Sequence, residues 1–283
     1  MSKQPVAGSL LGIDVSHWQG KIDWNAVAGS STPWGAVEFA YAKASTGKGG
    51  RDKRFVENAV AAAKAGLPFG AYHWLKPGQY LPTEEAANFV AAIQAARAAG
   101  AKVELAPMID LEDKPASTMG NDPQAVVDYA DEFAKAVKAA LGQTPILYVG
   151  SNYAKQYMGT KVPPGLPIWV PQYNKPSCNY DPTVAGPNKL NAATANWAVW
   201  QYCSKGKIPG ISGDVDLNAL RSDRIDAVGL KGRRVALPST TRGGAGADDK
   251  KKADDAGGST TLYAVGGALL LLIIIIILAL QAG

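Results

Sequence analysis

Cysteine and histidine are almost missing from this chain: Cys178, Cys203, His17 and His73 are the only ones in 283 residues. Two cysteines exclude a densely cross-linked scaffold and cannot by themselves supply a four-cysteine zinc site. So sparse a number favours two unconnected thiols, with a single Cys178–Cys203 pair as the alternative. Two histidines are too few for most hydrolytic metal centres, so no metal or other cofactor is expected; a divalent ion held by His17, His73 and nearby acids is a minor alternative. The chain also lacks a G-x-S-x-G elbow, a Walker loop and a dinucleotide fingerprint. Its net charge of +5 is modest, and no basic run interleaved with aromatics precedes residue 230. Nucleic acid is therefore not an expected partner, whereas attraction to an anionic polymer fits the charge. The opening stretch MSKQPVAGSLLGIDV has one lysine and no apolar h-region, so no signal peptide is expected.

Large apolar runs are confined to one place. Leu262 to Leu280 is 19 residues without a charge, which as a helix spans roughly 28 Å and matches the hydrocarbon core of a bilayer. A transmembrane helix is expected at 262–280, with the lipid bilayer as its partner. Residues 231–261 are rich in Gly, Asp and Lys and poor in large apolar residues, too little to bury a core, and read as a flexible linker. Residues 1–230 then form one folded domain.

Within that domain, short β-branched or aromatic runs alternate with Ala-rich stretches, the pattern of parallel β/α units. Eight strands are expected, at 10–18, 36–45, 68–75, 106–112, 145–150, 167–173, 197–203 and 214–218. Long helices are expected only early, at 52–66, 83–100 and 123–142, the last two opening with Glu or Asp as the helix dipole favours. The fold class is α/β: an irregular (β/α) barrel of eight strands with fewer helices in the C-terminal half, followed by the single transmembrane helix. Chemistry in parallel barrels sits at the carboxyl ends of the strands, where Asp14, His73, Asp110, Glu112 and Gln172 all fall.

The stretch PMIDLED ends an apolar strand in three acids. Alternation along a strand puts Asp110 and Glu112 on one face, roughly 7 Å apart along the backbone. Closure of a barrel makes the first and eighth strands neighbours, which brings Asp14 and Asp216 towards that pair. Carboxyls crowded against each other and against aromatic rings hold protons tightly, so that one can act as an acid while others stay ionised. Glycosidic cleavage needs that division of labour. Asp113 and Asp214 read as loop acids. Seven Trp and eleven Tyr exceed the needs of packing. Trp18, Tyr72, Trp74, Tyr148, Trp169, Tyr173, Trp200 and Tyr202 sit near the same strand ends and can stack on sugar faces, though several must be core. At most one of Tyr72 and His73, and one of Trp200 and Gln201, can point inward.

These residues together resemble glycoside hydrolase family 25, the muramidases that cut between N-acetylmuramic acid and N-acetylglucosamine in peptidoglycan. The resemblance covers about residues 10–220 and runs through GIDVSHWQGKIDW, the stretch from Phe39 to Leu75, MIDLED, PIWVPQY and WQYCSKGKIPGISGDVDLN. It implies a flattened eight-stranded barrel, Glu112 as proton donor, Asp110 as the carboxylate that steadies the transition state, and Asp14 and Asp216 as a flanking pair. Tyr72, Trp74, Tyr148, Trp169, Gln172, Tyr173, Trp200 and Gln201 are expected to bind the glycan. Ala44-Ser45-Thr46-Gly47 stands where many members have Ala-Thr-Glu-Gly, and Trp74 is the aromatic after Tyr-His. Arg242 and Lys250 to Lys252 precede the apolar run, so the positive-inside rule keeps the hydrolase on the cytoplasmic or virion side. A bacteriophage lytic enzyme, acting in entry or release, fits that placement. The alternative is a catalytically silent module that docks a membrane or virion to the wall.

Overall fold

The computed structural model describes residues 9–173, 178, 181–183 and 186–230. The expected linker and the apolar run at 262–280 lie outside them.

The strands are β1 (Leu10–Val15), β2 (Ser31–Thr32), β3 (Gly35–Thr46), β4 (Gly50–Arg51), β5 (Phe69–Trp74), β6 (Met108–Asp110), β7 (Ile146–Tyr148), β8 (Ile168–Pro171), β9 (Trp197–Gly206) and β10 (Val215–Leu220). Their order is β1-β10-β9-β8-β7-β6-β5-β3, and pairing of β1 with β3 closes the circuit. The two-residue β2 and β4 are attached to β3. The barrel therefore contains the eight expected strands, but they are not all parallel. β10 runs antiparallel to both β9 and β1.

The helices are α1 (Trp24–Ala28), α2 (Phe55–Lys64), α3 (Pro82–Ala98), α4 (Pro123–Leu141) and α5 (Ser151–Tyr157). The three long ones match the expected positions, whereas α5 occupies a connection expected to be loop. Starts and stops follow from sequence. Pro82 and Pro123 open α3 and α4, where a missing N–H costs nothing. Glu84 reaches back to the Leu81 N–H, and Asp122 accepts from the Gln124 N–H. Gly142 ends α4 in the left-handed conformation, φ 72°.

Strand alternation sorts the core into two layers. Leu11, Ile13, Ala40, Ala42, Phe69 and Ile109 face outward against Phe55, Phe89, Phe133 and the alanines of the helices. Inside the barrel are Phe39, Tyr41, Met108, Ile146, Trp169 and Val199. Gly12 and Gly70 make this interior possible: a Cβ at Gly12 would lie 2.5 Å from the Phe39 ring, and one at Gly70 would enter the Tyr41 ring. The Tyr41 hydroxyl donates to the Ala106 carbonyl at 3.0 Å, and the edge of one ring meets the other between Tyr41 and Trp169.

Candidate active site

A cleft of about 260 Å³ opens at the carboxyl ends of the parallel strands, with Asp14, Tyr72, Trp74, Asp110, Glu112, Tyr148, Tyr173, Gln201 and Asp216 in its walls. Strand β10 contributes although it runs the other way, because Asp216 is its second residue rather than one near its end. The antiparallel register sets Asp216 directly opposite Asp14. The carboxyls of β1, β6 and β10 thereby converge as the sequence suggests. A larger open groove of about 800 Å³ holds a single acid, Asp23, whose carboxylate caps α1. It has no comparable cluster.

Strand β6 ends at Asp110, so Glu112 lies two residues beyond it, not within a strand through 112 as expected. The Leu111 N–H still donates to the Tyr148 carbonyl at 3.0 Å, which continues the extended path by one residue. Asp110 is buried on the cleft floor, while Glu112 is exposed to the cleft. Among the described residues, Asp110 Oδ1 and Trp74 Nε1 are buried polar atoms without a hydrogen-bond partner. Such atoms are costly unless something polar fills the space beside them.

Asp14 is held by two amides. Its Oδ2 accepts from Gln201 Nε2 at 2.9 Å and from Asn218 Nδ2 at 2.8 Å. Gln201 Oε1 accepts from the hydroxyls of Tyr148, 2.9 Å, and Tyr173, 2.6 Å. Asn218 Oδ1 accepts from Trp169 Nε1 at 3.1 Å. Each carbonyl is thus engaged by a group that can only donate or is set to donate, which turns each NH₂ towards Asp14.

The carboxyls are pushed to unequal proton affinities. Burial raises Asp14, and its hydrogen bonds from Asn218, Gln201 and Asp216 oppose the rise. Burial, then the charges of Asp14 and Glu112, raise Asp216 to about 8, and its hydrogen bond to Asp14 adds to this. The hydrogen bond between the two carboxyls thus lowers the proton affinity of Asp14 and raises that of Asp216. Asp110 is raised well above the carboxylate range by burial and then by Glu112, with Lys43 opposing. Glu112 is raised by desolvation against the cleft walls, then by Asp113 and Asp14, with Lys43 and Lys76 opposing. One proton among such neighbours is retained where a solvated acid would lose it.

Three residues expected to bind glycan stand elsewhere. Trp169 is fully buried in the barrel interior, where its indole orients Asn218. Trp200 is fully buried on the outer face, its Nε1 donating to the Gln172 carbonyl at 2.7 Å, while its neighbour Gln201 faces the cleft. The Gln172 side chain is tied to Asn188, 2.6 Å, and to the Lys189 N–H, 3.0 Å, and does not line the cleft. His73 likewise faces outward between Tyr72 and Trp74. Its Nδ1 meets Ser45 Oγ at 2.8 Å and its Nε2 meets Glu85 at 2.9 Å. His17 pairs with Asp52 at 2.7 Å, so the two histidines do not share a site. Among the described residues, no group of three or more His, Cys, Asp or Glu is placed to hold a metal ion.

Sequence reasoning missed Asn218 and Lys43, and also Ser16 and Gln19, which line the cleft. Two of these carry a readable signal: Asn218 is two residues from Asp216 and Lys43 two from Tyr41, hence on the same strand face. The Lys43 ammonium lies 3.8 Å from the centroid of the Trp74 ring. Cys178 and Cys203 are joined in a disulfide, against the expectation of separate thiols, and Asp214 is an exposed acid paired with Lys207 at 2.7 Å.

Comparison with known proteins agrees with this geometry. The model of glycosyl hydrolases family 25 matches residues 13–211. A curated relative, "Lysozyme M1" of Streptomyces globisporus, is 30% identical over 216 residues, 74% of this chain and 67% of its own. The solved bacterial lysozyme from Streptomyces coelicolor superimposes with a TM-score of 0.61 at 27% identity, covering 78% of this chain and 96% of that one. The catalytic domain of an endolysin from a bacteriophage of Listeria monocytogenes gives 0.61 at 27% identity, covering 77% and 96%. The family match spans every acid of the cleft except Asp216, which adjoins it across the β1–β10 ladder; the chain belongs to glycosyl hydrolases family 25.

Proposed function

We propose that this family 25 glycoside hydrolase is a muramidase that cleaves the β-1,4 bond between N-acetylmuramic acid and N-acetylglucosamine in peptidoglycan. Glu112 is the proton donor in this reading, since it alone of the Asp110–Glu112 pair is exposed to the cleft while its proton affinity is raised. Asp110, on the floor, faces the charge that develops on the sugar ring, and its unpartnered Oδ1 suits a polar group of the substrate. Asp14, oriented by Gln201 and Asn218, and Asp216, whose proton affinity is raised, form a flanking pair that shares a proton beside the cleft. Tyr72, Trp74, Tyr148 and Tyr173 supply the apolar surface on which sugar faces stack. The single observation carrying the proposal is the convergence of four carboxyls in one aromatic cleft. Reducing ends released from purified peptidoglycan by the wild-type chain, and lost by about 10²-fold or more in Glu112→Gln, test it.

The same proposal extends to residues outside those described. The uncharged run 262–280 anchors the hydrolase to a membrane, 231–261 tethers it, and the basic flank keeps the domain on the positive side. That arrangement, with the phage endolysin among the similar structures, favours a bacteriophage lytic enzyme. Cosedimentation of the full-length chain with phospholipid vesicles, abolished by deleting 262–280, is the expected result.

A further inference from the structure

The acid that follows the proposed donor is not free. Asp113 is paired through its Oδ2 with the ammonium of Lys76, and its carbonyl accepts from the Tyr153 hydroxyl at 2.9 Å. Lys76 is itself fixed at both ends. Its backbone N–H donates to the buried Glu85 carboxylate at 3.1 and 3.2 Å, and that carboxylate also takes His73 Nε2 at 2.9 Å and the Tyr129 hydroxyl at 2.6 Å. The preceding Leu75 N–H donates to the Asp110 carbonyl at 2.9 Å. The ammonium also lies 5.1 Å from the Trp74 ring centroid. One rigid path therefore leads from a polar network behind the sheet, through Lys76, to the charge beside Glu112.

We propose that the Lys76–Asp113 ion pair is a tuning element that sets the working pH of Glu112 while remaining outside the reaction itself; this rests on the muramidase reading for its functional consequence. Neither residue of the pair lines the cleft, so each acts through Glu112 and is a positioning residue. The groups facing Glu112 from other elements are Asp14 on β1, Lys43 on β3, Asp110 on β6, Tyr148 on β7, Tyr173 after β8 and Asp216 on β10. Asp113 is the charge that most raises Glu112, and Lys76 opposes it. Half-buried positions screen the pair less than open solvent would.

The two halves of one ion pair should then move the enzyme in opposite directions. In Lys76→Met the Asp113 charge is uncompensated, so Glu112 keeps its proton longer and the alkaline limb of kcat/KM on purified peptidoglycan moves up. In Asp113→Asn the limb moves down. Each shift is expected to be on the order of half a pH unit. Lys76→Arg should restore the wild-type limb, and Lys76→Gln carries the same prediction as Met if that variant does not fold. Shifts in one direction for both variants, or none in folded active variants, would overturn the proposal, since a purely structural role predicts a common loss. Carboxyl-carbon NMR titration of Glu112 in the full-length variants reads the same ordering without substrate. Opposite NMR shifts in a chain that releases no reducing ends would uphold the tuning and sink the muramidase reading.

Discussion

Folding raises the proton affinity of Asp216. An unfolded aspartate ionises near 3.8, whereas Asp216 is raised to about 8 by burial and by Asp14. Between those values the folded chain keeps a proton that the unfolded chain has released, so this residue makes stability fall as pH rises from about 4 to about 8. Asparagine imitates the neutral acid and still offers a donor to Asp14. Asp216→Asn should therefore melt higher than wild type at pH 8 and no higher at pH 4; an equal difference at both would show that the proton is not there. Trp169 gives a second residue-scale test. Buried beneath the cleft, its indole donates to the Asn218 side chain. Trp169→Phe should cost about 1 kcal/mol of stability and lower kcat while leaving KM unchanged. A raised KM with normal kcat would instead place that indole against the glycan.

At the scale of elements, the direction of β10 decides the site. Its antiparallel course puts Asp216, the second residue of the strand, at the end where β1 and β6 finish. The sequence marks VDLN as a strand carrying an acid, yet an alternating run reads the same in either direction, and direction comes from pairing with β9 and β1. The eight barrel strands and the helices α2 to α4 were legible because their patterns are local, and Glu or Asp near the starts of α3 and α4 marks where they open. Parity was legible as well, since it allowed only one of Trp200 and Gln201 to face inward, but which one depends on register. The Cys178–Cys203 pair and the engagement of Gln172 by Asn188 were not legible, because both are set by a long connection after β8. The interior offers a packing test. Gly70→Ala places a methyl in the Tyr41 ring and should cost about 1–3 kcal/mol in urea unfolding. A neutral result would mean that Tyr41 can move aside.

For the molecule as a whole, the disulfide and the site belong to the same part of the sheet. Cys203 lies two residues after Gln201 on β9, and its bond to Cys178 closes a separation of 25 residues that begins five residues after Tyr173. Chain entropy assigns such a closure about 3.5 kcal/mol. Cys203→Ser should lose stability of that order in denaturant unfolding, whereas an unchanged midpoint would show that the connection is held by its other contacts. The fold thus places an acid cluster, a pair of orienting amides and a ring of aromatics at one end of a closed barrel. The most direct test of that reading is release of reducing ends from purified peptidoglycan by the full-length chain beside Glu112→Gln. We expect release by the wild type and its loss in the variant, with an unchanged melting transition. Equal release by both, or none by either from several wall types, would contradict assignment of Glu112 as the proton donor of a muramidase.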